Sequence, residues 1–460
     1  PASSELCPLH CSSLLGMSIS SHRGGAVDSK LPEIKFSGFS TRAIHAGAPP
    51  DAETGARTPS IVQSTSFVFK DSAQGARLFA LQEAGNIYSR LTNPTVSQLQ
   101  AKVADLEGGI AATCTSCGHS AQMMVFYALC STGDKIIASN KLYGGTVTQL
   151  SRTIKKFGFQ CDFVDVSDTA AVKAALAQPN VKALFIESLC NPGGVVTDIA
   201  ALAALTSEVH VPLVVDNTLA TPYLCRPIEH GANIVVHSLT KYMCGHGNAM
   251  GGAIVDAGKF DWAKVPGKYP SMADDEPAYH GLNFSKATGP AAFTYFCIAV
   301  GLRDLGPQLA PMNAFLIMMG IETLPLRMDR HCSNALAVAQ WLEKHKDVES
   351  VSYPTLPGNK YNALADKYIS GKGGAVLTFS LKKGHEACSK VADNCQLFSN
   401  LANLGDTRSL IIHPSSTTHS QLTDDQKKAA GAEPNTLRLC VGIENVEDLI
   451  ADLDRAIANA

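Results

Sequence analysis

No run of about eighteen consecutive apolar residues occurs in this 460-residue chain, which argues against a membrane-spanning helix in any segment. Long runs of one charge are also missing. Lys and Arg number 38 against 41 Asp and Glu, for a formal net charge of −3, so nothing in the charge pattern points to nucleic acid or an anionic membrane. No internal repeat is visible. The C-x-x-C spacing occurs once, at Cys114 and Cys117, without a second pair or matching histidines, so no metal site is expected. Most of the 14 cysteines, such as Cys130, Cys161 and Cys297, lie in apolar segments. That usage suggests buried thiols in a reducing compartment, the cytoplasm, rather than a disulfide framework. The remaining expectation is a protein that works on a small molecule.

A chain of this length exceeds one small core, so two or more domains are expected. Residues 1–39 are rich in Ser and Gly, lack periodicity, and set Glu5 and Asp28 against Arg23. They fit a targeting peptide poorly and are expected to form a loosely ordered extension, with an organellar leader left open. Regular alternation starts at Pro94. Asn93 suits a helix N-cap, Pro94 the first helical position, and Val96, Leu99, Val103 and Leu106 repeat at helical spacing.

Short apolar runs follow at 135–139, 161–166, 183–188, 212–217 and 234–239, each the length of a buried strand, with helix-length segments between them such as 168–178 and 198–209. Buried strands alternating with helices predict a mostly parallel sheet covered on both faces, over 94–308. Residues 256–290 read as a Pro-containing surface insertion. Helices are predicted at 291–304 and 312–346, the latter kinked at Pro325, then strands at 375–380 and 437–441 and a closing helix at 446–459. This change of texture predicts a smaller α+β domain over 309–460.

Ligands of such sheets bind beyond the C-terminal ends of the strands. Three motifs sit there: Val214-Val215-Asp216-Asn217, His237-Ser238-Leu239-Thr240-Lys241-Tyr242, and Leu142-Tyr143-Gly144-Gly145-Thr146. Singly, the aspartate reads as a helix cap, the lysine as a solvated charge and the tyrosine as packing. Together they meet the needs of pyridoxal phosphate (PLP). That cofactor takes a lysine for its Schiff base and a carboxylate on its pyridinium nitrogen. It also takes an aromatic group on the ring face, and hydroxyls with backbone N–H groups on the phosphate. Lys241, Asp216, Tyr143, and Ser238 with Thr240 supply these in turn.

The chain resembles the Cys/Met-metabolism family of PLP enzymes. The likeness is carried by Tyr88-Ser89-Arg90-Leu91-Thr92-Asn93-Pro94, the Tyr143 loop, residues 216–222 and Ser238 to Lys241, and by 400–409, 412–419 and 438–444. It implies the aspartate-aminotransferase-like α/β fold (PLP fold type I), with a large, mostly parallel sheet and a smaller C-terminal α+β domain. By the resemblance, Lys241 anchors the cofactor and shuttles protons, Asp216 pairs the ring nitrogen, and Tyr143 stacks on the ring and assists the leaving group. Gly118 and His119 hold the phosphate with Ser238 and Thr240. Asn191 lies by the phenolic oxygen, and Arg438 clamps the substrate carboxylate, with Asn403 and Tyr88 also at the substrate. Residues 40–93 form an arm through which Tyr88 and Arg90 reach the neighbouring subunit's cofactor phosphate. This implies a homotetramer made of two dimers.

One departure stands out. The family pattern at the phosphate loop is Ser-Gly followed by Met or Gln, and here it is Cys117-Gly118-His119. Backbone N–H groups at a helix start bind phosphate whatever the side chains, so PLP binding is expected to survive. Within the family, the sulfhydrylase branch is the nearest resemblance. Its reaction replaces the γ-acyl group of O-acetyl-L-homoserine by sulfide or methanethiol, in methionine biosynthesis. Methionine γ-lyases usually carry Cys where Gly145 stands, and lack both the 256–290 segment and the Asn403-Leu404-Gly405-Asp406 form of the later loop. An O-succinyl ester, a γ-lyase reaction and a non-catalytic PLP-binding scaffold are the alternatives.

Overall fold

The computed structural model describes residues 36–191, 194–418, 420, 423, 427, 431 and 433–460. Most of the expected N-terminal extension, residues 1–35, and His419 of the 412–419 stretch lie outside the described residues. Seven strands build the larger sheet: β1 Ala111–Thr115, β2 Lys135–Ser139, β3 Gln160–Val164, β4 Val181–Glu187, β5 Leu213–Asp216, β6 Ile234–Ser238 and β7 Gly252–Asp256. Their order is β1-β7-β6-β5-β4-β2-β3. Strands β2 to β6 run parallel, and β7 lies antiparallel between β6 and β1.

Alternation along these strands feeds two cores. Leu213 and Val215 face one side of β5 and Val214 the other; in β6, Val235 opposes Ile234 and Val236. Each fully buried aliphatic side chain contributes about 1.5–3 kcal/mol. The first core lies under the helix Pro94–Glu107 and its neighbours. The Asn93 side chain accepts from Thr95 N and Val96 N at the start of that helix, and Gly108, at φ +77°, ends it in the left-handed conformation. The second core lies under the helix Gly118–Leu129. The parity that sends Val214 and Val236 to the second core sends Asp216 and Ser238 to that same side, where this helix begins.

A short hairpin, β8 Asp275–Glu276 with β9 Leu282–Asn283, lies in the segment read as a surface insertion. That reading needs correction. Trp262, Tyr269, Met272 and Phe284 are buried in the second core, and Tyr269 Oη donates to Lys182 O, so the segment is anchored on the sheet. The smaller sheet has five strands, β10 Val348–Ser352, β11 Val376–Leu381, β12 Ser399–Asn400, β13 Leu410–Ile412 and β14 Thr436–Cys440, in the order β10-β11-β14-β13-β12. With the helices Leu324–Lys344, His385–Asn394 and Val446–Ala458 it forms the smaller α+β unit around a third core.

Two helix expectations also change. The predicted kinked helix at 312–346 is two helices, Pro311–Glu322 and Leu324–Lys344, broken at Thr323. Pro325 falls in the first turn of the second, where a missing N–H removes no helical bond. The one at 291–304 is Ala292–Phe296 running into a π-helical stretch, Cys297–Leu305.

Candidate active site

Asp216 closes β5 and Lys241 follows the end of β6 in a tight turn, where Lys241 N donates to Ser238 O and Gly245 N to Lys241 O. Asp216 Oδ2 accepts from Gln122 Nε2 at 2.9 Å, and its Oδ1 from Thr218 N at 3.0 Å. Both oxygens of this part-buried carboxylate are therefore held. Lys241 Nζ donates to Asn403 Oδ1 at 2.6 Å. Burial, and then the Arg438 guanidinium, lower the pKa of the lysine from its ordinary value. A less basic amine spends more of its time unprotonated and nucleophilic.

Arg438 comes from the smaller sheet. In β14, Leu437 and Leu439 enter the third core, and the alternate residues Arg438 and Cys440 face the larger sheet. Arg438 is buried, donating Nη1 to Asn191 Oδ1 at 3.2 Å and Nη2 to Asn403 O at 2.9 Å, while its Nε has no hydrogen-bond partner. A buried N–H without a partner marks a place for a ligand oxygen. The Asn403 loop is tied down by Gly405 N donating to Cys440 Sγ and Thr407 N to Gly245 O.

Tyr143 stands at the rim, 40% exposed, with the His119 ring edge-on to it at 5.9 Å. Both line a cleft of about 480 Å³ with Gly144, Gly145, Thr148, Gln149, Thr153, Thr417 and Thr418. Beneath them, Glu187 at the end of β4 accepts from Tyr143 N at 2.6 Å and Asn191 N at 3.3 Å. The helix Gly118–Leu129 starts at Cys117 without a side-chain cap, leaving its first N–H groups to the site. A Cβ on Gly118 would lie 2.8 Å from Ser238 Cβ, so the helix start and the end of β6 touch there. Thr240 Oγ1 is engaged with Gly251, accepting from its N–H at 3.0 Å.

Set against the demands of PLP, the residues fit: a part-buried amine of lowered basicity, a fixed carboxylate, an uncapped helix start beside Ser238, an exposed aromatic ring, and an unpartnered arginine N–H. Of the residues singled out from the sequence, Lys241, Asn403, Arg438 and Asn191 are joined by direct hydrogen bonds. Tyr88 and Arg90 make their contacts elsewhere. Arg90 donates to Arg303 O and lies over the ring of Tyr88, which is 43% exposed. Sequence reasoning missed Gln122 and Glu187. Glu187 carries the signal that picked out Asp216, an acid closing an apolar run. Gln122, inside a helix, carries none.

The sequence matches the model of the family described as Cys/Met metabolism PLP-dependent enzyme over residues 40–458. It is 47% identical to the O-acetyl-L-homoserine sulfhydrylase of Leptospira meyeri, covering 91% of this chain and 96% of that protein. It is 44% identical to the homocysteine synthase of Schizosaccharomyces pombe, covering 91% of this chain and 98% of that protein. A crystal structure from Campylobacter jejuni, provisionally assigned as an O-acetylhomoserine (thiol)-lyase and holding a pyridoxyl-lysine phosphate, superposes with a TM-score of 0.88. That chain is 40% identical, with coverage of 91% of this chain and 99% of its own. With this match across nearly all of its described residues, the chain belongs to the Cys/Met metabolism PLP-dependent enzymes.

Proposed function

We propose that the protein is a PLP-dependent transferase that replaces the acetyl group of O-acetyl-L-homoserine by sulfide, giving L-homocysteine and acetate; methanethiol in place of sulfide gives methionine. The observation that carries the reading is the Lys241–Asn403–Arg438–Asn191 chain of hydrogen bonds, which sets a nucleophilic amine beside a free carboxylate clamp. The names of the relatives at 47% and 44% identity support the same choice of ester and nucleophile.

When bound, PLP supplies an electron sink for the charge that develops at the substrate Cα. Lys241 would be its covalent anchor, and Asp216 would hold the ring nitrogen in its protonated form. Lys241 Nζ, an amine of lowered basicity, would take the substrate Cα proton and then handle the Cβ proton. Arg438 would fix the substrate carboxylate with its free Nε–H and a remaining Nη N–H, in the fork geometry suited to guanidinium. Tyr143, at the rim, is placed to assist departure of acetate from Cγ, where the sulfur then bonds. Gly118 and His119 N–H groups with Ser238 and Thr240 would take the phosphate, and Asn191 and Asn403 orient the clamp.

The domain division 40–93, 94–308 and 309–460 belongs to this reading. So does a homotetramer in which the arm carries Tyr88 and Arg90 to the partner's site; Val68, fully exposed on that arm, supports a covered state. A cytoplasmic setting is supported by the described cysteines, all free thiols. No helix among the described residues is long and apolar enough to cross a membrane.

The test is product analysis with PLP-loaded enzyme, O-acetyl-L-homoserine and sulfide, run beside O-succinyl-L-homoserine and L-methionine. Homocysteine chiefly from the acetyl ester, lost in Lys241→Ala, is expected. 2-Oxobutanoate as the main product, with or without sulfide, would move the chain to the γ-lyases.

A further inference from the structure

Glu187 has no part in the chemistry described so far, yet it lies under both halves of the site. It is 5% exposed, at the last position of β4, and is the register partner of Asp216 in β5. One of its oxygens accepts from Tyr143 N and the other from Asn191 N. The first belongs to the residue at the ring face. The second belongs to the residue whose side chain accepts from Arg438. One carboxyl group thus joins the two loops.

We propose that Glu187 is a positioning residue that locks the Tyr143 loop to the Asn191–Arg438 clamp, setting the clamp's grip on the substrate carboxylate. The inference rests on the reading of Arg438 given above. Burial first, and the neighbouring Asp216 second, push the Glu187 pKa up to about 8. The carboxyl offers one oxygen to each of the two N–H groups. Glutamine matches the side chain in size but accepts at one atom only. Its oxygen stays with Tyr143, whose bond is the shorter at 2.6 Å against 3.3 Å. Its NH2 then faces the Asn191 N–H, and the clamp loosens while the ring side keeps its contact.

Glu187→Gln separates these outcomes. Binding of L-norvaline, an amino acid without a leaving group, and of n-butylamine, the same molecule without its carboxylate, is measured calorimetrically on wild-type and variant holoenzyme. The wild type is expected to prefer norvaline. The variant should lose about tenfold in norvaline affinity, the size of one unpaired buried donor, and bind butylamine as before. Equal changes for both ligands, or none, overturn the role of Glu187. A wild type that does not distinguish the two ligands overturns the Arg438 reading instead. Hydrogen exchange on the wild-type holoenzyme needs no variant. The Tyr143 and Asn191 amides should be protected like those of β4, and exchange at the rate of exposed loops would overturn the proposal.

Discussion

Gly118 and Ser238 meet so closely that a Cβ added to the glycine would lie 2.8 Å from Ser238 Cβ and 3.1 Å from its Cα. The contact joins the first turn of a helix to the end of β6, so neither side gives way by a simple rotamer change. Gly118→Ala is expected to push the helix start off the strand and spoil the phosphate cradle. PLP affinity should fall about tenfold or more, for a stability loss of about 1–3 kcal/mol. Equilibrium dialysis of the cofactor, beside urea unfolding, checks both. Affinity unchanged with the alanine in place would place the phosphate elsewhere.

Gly145 is tight for a different reason. Its Cβ would meet Tyr143 Cε1 at 2.5 Å and His119 Cε1 at 3.0 Å, both at the far ends of side chains. Gly145→Cys is therefore expected to fold normally but to turn the Tyr143 ring away. Turnover of O-acetyl-L-homoserine should drop about tenfold with little change in melting temperature, because the ring is 40% exposed. The double variant with His119→Ala, which frees room for the ring, should recover part of the loss. Full activity in Gly145→Cys alone would contradict this account.

Arg438 offers a planar fork that lysine cannot copy. Each Nη gives one of its two N–H groups, to Asn191 and to Asn403, and its Nε–H is free. Arg438→Lys keeps a positive charge and loses the fork. KM for O-acetyl-L-homoserine should rise about 10- to 100-fold, with a smaller change in kcat. An effect confined to kcat would mean that the arginine acts in the chemical step.

The strands that carry the site were legible because burial on both faces demands unbroken apolar runs: 135–139 corresponds to β2, and Asp216 and Ser238 close β5 and β6. Strands β1 and β7 were not legible. β1, Ala-Ala-Thr-Cys-Thr, has too little apolar bulk to stand out, and its burial comes from the helices Pro94–Glu107 and Gly118–Leu129 packed against it. The break at Thr323 was read as a kink because Pro325 stands two residues past it, in the first turn of the second helix. At the site, Asp216 announced itself by the cost of ending an apolar run in a charge. Asn403 came from resemblance to the family, since its role depends on a loop folding back across 162 residues to reach Lys241.

Lys102 is fully buried in the helix Pro94–Glu107, and its Nζ donates to Ala43 O at 2.7 Å and Ile44 O at 2.9 Å, near the end of the helix Phe39–His45. Burial lowers its pKa from 10.5 to about 8. Below about pH 8 the amine is charged in both the folded and unfolded chain, and the folded state bears the full cost of burying it. Between pH 8 and 10.5 the unfolded chain holds the proton and the folded one does not, so the cost fades and stability rises with pH. The stability of wild type minus Lys102→Met should accordingly climb by about 3 kcal/mol across that window. Urea unfolding at a series of pH values reads the difference directly. A flat difference would mean that Lys102 stays charged on the carbonyls of Ala43 and Ile44, and that their attraction outweighs the loss of water.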